Sequence, residues 1–196
     1  MGVRRYNTTL IRVRVGSLVR LSRFERNEPY FGTDALGRFD DPKKRFGVCY
    51  AADSLETAFA ETLLNRPCDR SPGQTPLMVS LSDAMSRHCW TFSRCRHGEE
   101  LVLINLTGPA LKALCGNNDI SAGKFEVSQA WARELFVAEP GADGLLYVSR
   151  QNNMRTACAL FRRSRLSGGQ CRKLTETEVI DLCSLYGAEL LPDEVK

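Results

Sequence analysis

Three side chains in the stretch GRFDDPKKRFGVCYAADSLETAFAET, residues 37 to 62, are of types that could do chemistry together. Arg38 falls in a polar loop, Tyr50 at the end of an apolar strand and Glu61 on the helix that follows it. A guanidinium grips a pyrophosphate through two parallel N–H donors, an aromatic face stacks on a pyridinium ring, and a carboxylate stabilises positive charge developing on a sugar. Together they suit a nucleotide whose leaving base is already cationic. Such a base needs no general acid, and its departure leaves an oxocarbenium-like ribose, as in glycoside cleavage. Glu61 would serve that charge either directly or by holding the ribose hydroxyls. The plainer reading is a surface charge, a core aromatic and a solvated helix residue, and such residues abound in any domain of this size.

Positioning these groups takes a strand that feeds straight into a helix. The run 46–52 is short, apolar and rich in strand formers, and it stops at Asp53, which with Glu56 reads as a capping box for the next helix. In that helix Leu55, Ala58, Phe59, Thr62 and Leu63 fall on the core face, while Glu61 lies off that stripe near Thr57 and Leu64. Before it, Ile11, Val13 and Val15 alternate with Arg12, Arg14 and Gly16, predicting a strand with one solvated face. Residues 24–42 are rich in Asn, Asp, Gly and Pro and read as a long irregular loop.

Further strands are predicted at 77–81, 101–106, 145–149 and 157–161. Pro109 opens a helix that Gly116 closes, and 128–137 is helical with Trp131, Leu135 and Phe136 on one face. A last helix starts near Glu176, capped by Thr175 with Glu178, and stops at Gly187. No repeat or linker interrupts residues 1–196, so the expectation is one α+β domain, a mixed, twisted β-sheet core flanked by helices.

Composition narrows the class. With 196 residues, 43% hydrophobic and 26% charged, the chain is globular, and no apolar run approaches a membrane span, so a soluble, cytoplasmic protein is expected. Eight cysteines include no C-x-x-C pair and read as mostly buried thiols. His88, Cys89, Cys95 and His97 match no common zinc spacing, and no metal is expected. With two histidines and no G-x-S-x-G elbow, a Ser-His-Asp hydrolase is disfavoured. The alternative to an enzyme is a basic nucleic-acid-binding or interaction module without catalysis. It rests on FRRSRL, residues 161 to 166, with Arg150 and Arg155, although an arginine cluster is more often a solvated strand edge or a contact for an acidic partner.

A resemblance adds to this reading. Gly37-Arg38-Phe39, Tyr50-Ala51-Ala52 and Ala58-Phe59-Ala60-Glu61 arrive in the order of the RES family's motifs, and GADGLLYVSRQNN, residues 141 to 153, supplies its late serine as Ser149. SQAWARELF and TACALF resemble the family's flanking helix and strand, and the likeness is strongest over residues 22–163. It implies a fold like that of ADP-ribosyltransferases and NAD⁺ as substrate, not as a resident cofactor. It also implies cleavage of the nicotinamide–ribose bond, with phosphate, water or a protein as acceptor. Members are toxins neutralised by a helix-turn-helix, Xre-type antitoxin. The residues carried over are Glu61, Arg38 and Ser149 as catalytic, and Arg38, Tyr50, Ser149 and Arg23 as NAD⁺-binding, with Ser149 holding the nicotinamide carboxamide or the adjacent ribose. The loop between Arg38 and Tyr50 is longer than the family's and carries Lys43, Lys44 and Arg45, which leaves Arg38 and Arg45 as alternatives for the phosphates.

Overall fold

The computed structural model describes residues 6–65 and 77–191. Its central strands are buried on both faces, and their sequences show why. Along β8 (Thr156–Phe161), Ala157, Ala159 and Phe161 enter one core while Cys158 and Leu160 enter another. β3 (Val48–Ala52) divides the same way, with Val48 and Tyr50 on one side and Cys49 and Ala51 on the other. Apolar residues at every position are what a strand covered on both faces requires.

Around this pair lie β1 (Leu10–Arg14), β2 (Val19–Ser22), β5 (His88–Arg94), β6 (Glu100–Leu106), β7 (Gly144–Val148) and β9 (Ser167–Lys173). The eight strands run in the order β1-β6-β7-β8-β3-β2-β5-β9, antiparallel except for the parallel pair β6 and β7. β5 and β6 stand five places apart in that order, yet Phe92 of β5 packs in one cluster with Leu101 and Leu103 of β6. The sheet is therefore curled, with its two ends facing across a shared core.

Helices cover the outside of the curl. Beyond one half lie α3 (Gly108–Ala113), α4 (Asp119–Ala122) and α5 (Phe125–Ala138), which bury Leu111, Ile120, Ala132 and Leu135 against β6, β7 and β8. Beyond the other lie α1 (Leu55–Leu63), α2 (Leu81–Met85) and α6 (Glu176–Leu185). Between them a small parallel pair forms from β4 (Leu77–Ser80) and β10 (Ala188–Leu191). This is the α+β, mixed-sheet architecture that the pattern of elements predicts. Among the described residues no helix is long and apolar enough to cross a membrane.

Two local readings are corrected. The cap of α1 is Ser54, whose Oγ accepts the Thr57 N–H at 3.2 Å. Asp53 instead accepts Thr156 N–H at 2.9 Å and Thr156 Oγ1–H at 3.0 Å, tying the end of β3 to the start of β8. The strand expected at 77–81 ends at Ser80 and belongs to the small sheet, outside the main one. Of the cysteines, Cys49, Cys89, Cys95, Cys158 and Cys183 are buried, Cys115 is exposed, and Cys68 lies outside the described residues. Burial pushes the Cys49 thiol up to about 12, so it is protonated and serves as packing.

Candidate active site

Glu61 is fixed by a turn that lies 88 positions later in the sequence. Its Oε1 accepts the Ser149 hydroxyl at 2.6 Å and the Arg150 backbone N–H at 3.0 Å. The turn that supplies both donors joins β7 to β8 and is closed by Ser149 N–H donating to Arg155 O at 2.9 Å. Ser149 Oγ also accepts from Gln151 N–H at 3.2 Å and Asn152 N–H at 3.0 Å. A hydroxyl has one proton and two lone pairs, so the Ser149 side chain is saturated by the protein. It is 1% exposed and absent from the cavity wall, and the group it holds directly is Glu61.

Glu61 faces a cavity of about 390 Å³ whose wall includes Arg20, Arg38, Tyr50, Phe125, Tyr147 and Arg150. Burial of Tyr147 and Tyr50 pushes both phenols well above their ordinary value. Arg38 is 9% exposed, donates from Nη1 to Gly123 O at 2.9 Å, and lies 4.6 Å over the Phe125 ring. Burial, followed by the charge of Arg150, pulls the Arg38 guanidinium down. An anion placed there would relieve that repulsion.

Tyr50 contributes its ring to the wall while its hydroxyl is occupied, donating to Asp40 Oδ1 at 2.8 Å and accepting Phe39 N–H at 2.9 Å. The loop that carries Arg38 is therefore wrapped around the phenol. Gly37 makes this approach because a Cβ there would stand 2.5 Å from Tyr50 Oη.

Arg20 was not anticipated from the sequence. It lies on β2, grips both carboxylate oxygens of buried Glu28 from Nε at 3.1 Å, and donates from Nη1 to Tyr50 O at 2.8 Å. Ser22 completes the group by donating to Glu28 at 2.5 Å. The only sequence signal was the charged residue between Val19 and Leu21, both of which also line the cavity. Arg23, expected as the additional arginine, is instead outward: its side chain is 70% exposed and stands 3.8 Å from Asp83. In a strand, positions 20 and 22 share a face and the chain leaves that face after Ser22.

Arg45 is also away from the cavity wall, bound from Nε to Asp41 at 2.6 Å. Of the two loop candidates for a phosphate contact, Arg38 is the one on the wall. The stretch with His88, Cys89, Cys95 and His97 is largely strand β5, where His88 and Cys89 face opposite sides. Among the described residues no group of three His, Cys, Asp or Glu side chains is placed to hold a metal ion. In FRRSRL, Arg163 is committed inside the fold, while Arg162 and Arg165 are exposed.

A solved structure with a similar fold is the M. tuberculosis MbcT–MbcA toxin–antitoxin complex. One of its chains superposes with a TM-score of 0.60 at 17% identity, covering 90% of this chain and 92% of that one. No curated protein matches the sequence significantly. The RES domain family profile matches residues 13–180, a span that contains Arg20, Arg38, Tyr50, Glu61 and Ser149. The chain belongs to the RES domain family.

Proposed function

We propose that this protein consumes NAD⁺ by breaking the bond between nicotinamide and ribose, as a toxin-type enzyme. The observation that carries this reading is the Glu61 carboxylate, held by Ser149 and the Arg150 N–H at the wall of a cavity that also presents Arg20, Arg38 and Arg150. NAD⁺ has the complementary pattern, with an anionic pyrophosphate beside a ribose that becomes cationic as its base leaves. When the glycosidic bond breaks, its electron pair goes to the pyridinium ring and nicotinamide departs neutral. The positive charge passes to the ribose, where Glu61 stabilises it, and an acceptor oxygen then closes on the anomeric carbon, its negative charge cancelling that of the cation if it is phosphate and its proton passing to solvent if it is water or a protein hydroxyl. Because nicotinamide is an activated leaving group from the start, this chemistry calls for no metal, and NAD⁺ enters as substrate, not as a resident cofactor.

Arg38 and Arg20 bind the phosphates, and the Tyr50 ring stacks on the nicotinamide end. Ser149 acts through Glu61 as a positioning residue. Membership of the RES family supports the NAD⁺ reading. The structural neighbour, solved as a toxin–antitoxin complex, supports an antitoxin partner. The resemblance to the RES family makes that partner a helix-turn-helix protein of Xre type, and the proposal has both act in the cytoplasm.

The test incubates purified wild type and Glu61→Gln with NAD⁺, with and without inorganic phosphate, and resolves nicotinamide, ADP-ribose and its 1″-phosphate by chromatography. The expected result is nicotinamide release by wild type and a kcat about 10²- to 10³-fold lower for Glu61→Gln, the scale of one lost preorganised electrostatic contact. Phosphate-dependent product marks a phosphorylase, free ADP-ribose a hydrolase, and label on added protein a transferase. Equal release by the two proteins would remove Glu61 from catalysis, and no release by wild type would overturn the enzyme reading.

A further inference from the structure

A guanidinium at the end of a long side chain binds well only if the backbone beneath it is fixed, because ordering it on binding costs affinity. Around Arg38 that ordering is built in. Gly37 N–H donates to Asp40 Oδ2 at 2.8 Å, and Gly37 O accepts Gln129 Nε2–H at 3.0 Å and Asp40 N–H at 3.2 Å. On the other side of Arg38, Phe39 N–H donates to Tyr50 Oη, which in turn donates to Asp40 Oδ1. Gln129 Nε2 also reaches Ala35 O at 3.3 Å. The peptide planes before and after Arg38 are therefore both tied down.

The two side chains that do most of the tying are themselves buried, Gln129 at 8% and Asp40 at 6% exposure, and neither is on the cavity wall. A buried amide whose two protons go to two carbonyls of one loop is there for that loop. We infer that Gln129 and Asp40 are positioning residues that preset Arg38 for its anionic ligand. They reach it from separate elements, Gln129 from α5 and Asp40 from within the loop itself.

This inference rests on the reading of Arg38 as an NAD⁺ phosphate ligand, and its test separates the two. Gln129→Met keeps length and helix propensity while removing both donors. Isothermal calorimetry with NAD⁺ should show affinity about tenfold weaker, the scale of one to two lost neutral hydrogen bonds, with kcat nearly unchanged. In an Arg38→Ala background the same substitution should cost nothing further, because its effect passes through the missing side chain. Phenylglyoxal labelling of Arg38, followed by peptide mass spectrometry without NAD⁺, should be faster in Gln129→Met than in wild type.

Should Gln129→Met not fold, Asp40→Asn, of equal size, carries the same measurements with an expected loss of about threefold, since one of its two carboxylate contacts survives. Unchanged affinity together with unchanged Arg38 labelling would overturn the inference, as would an equal loss in the Arg38→Ala background. If wild type binds no NAD⁺, the proposed function fails on its own, and the labelling rates still decide whether Gln129 and Asp40 hold Arg38.

Discussion

The Ser149 hydroxyl donates once and accepts twice, so in the proposed reaction it acts through what it holds. Ser149→Ala is expected to leave Glu61 with the Arg150 N–H as its remaining donor, lowering kcat about tenfold while NAD⁺ affinity changes little, and Ser149→Thr should restore much of the loss. Steady-state kinetics beside calorimetry would show it. A matching loss in affinity would mean that the hydroxyl touches the substrate. Arg38, Tyr50, Glu61 and Ser149 were legible in the sequence because each sits in a short motif of fixed order. Arg20 was not. Its partner Glu28 comes from the irregular loop after β2, and no periodicity announces a buried ion pair between a strand and a loop.

Elements whose ends carry capping chemistry were legible, and α6 is the clearest case. Thr175 and Glu178 form the expected capping box, with Thr175 N–H donating to Glu178 Oε2 at 2.9 Å. Arg172 of β9 adds two bonds to the same carboxylate, at 2.8 and 2.6 Å. Hydrogen bonding from Arg172, then from Thr175, holds the Glu178 carboxyl down at about 2, well below the usual carboxylate range. A depressed acid contributes stability that is present above its unfolded value and lost as pH falls through the folded one. Glu178→Gln should therefore lower the melting temperature at neutral pH, and the gap should narrow below about pH 4.5 and close near pH 2. The pair is partly exposed, so the effect stays below about 1 kcal/mol. A gap independent of pH would contradict this account. β9 itself was illegible, since Ser167–Lys173 reads SGGQCRK, with no apolar alternation to find, and β5, HCWTFSR, mixes polar and apolar residues without a clean period of two.

At the scale of the molecule, one arginine joins the helical layer to the sheet. Arg163 donates to Ala142 O at 2.7 Å, Phe136 O at 2.8 Å and Glu139 O at 2.8 Å, while its guanidinium lies 4.2 Å over Phe136 and 4.9 Å over Phe161. It closes the C-terminal end of α5 and the end of β8 together. Arg163→Ala removes all three bonds, leaving Glu139 O with the Ala142 N–H, and should cost about 3 kcal/mol in urea unfolding, with Arg163→Lys a poor substitute for the planar fork. A loss below about 1 kcal/mol would show that water or a neighbour takes over the carbonyls. The sequence marked this residue only as part of a basic run, because burial of a charge is decided by partners distant in the chain. The same distance governs when the site comes into being. Glu61 and Ser149 are separated by 88 positions, and Gln129 reaches a carbonyl 92 positions upstream. At roughly 5–20 residues per second, a ribosome adds Ser149 several seconds after Glu61. A nascent or prematurely terminated chain ending before Ser149 thus carries Arg20, Arg38, Tyr50 and Glu61 without the turn that holds Glu61, and the site is assembled only once that turn has been added.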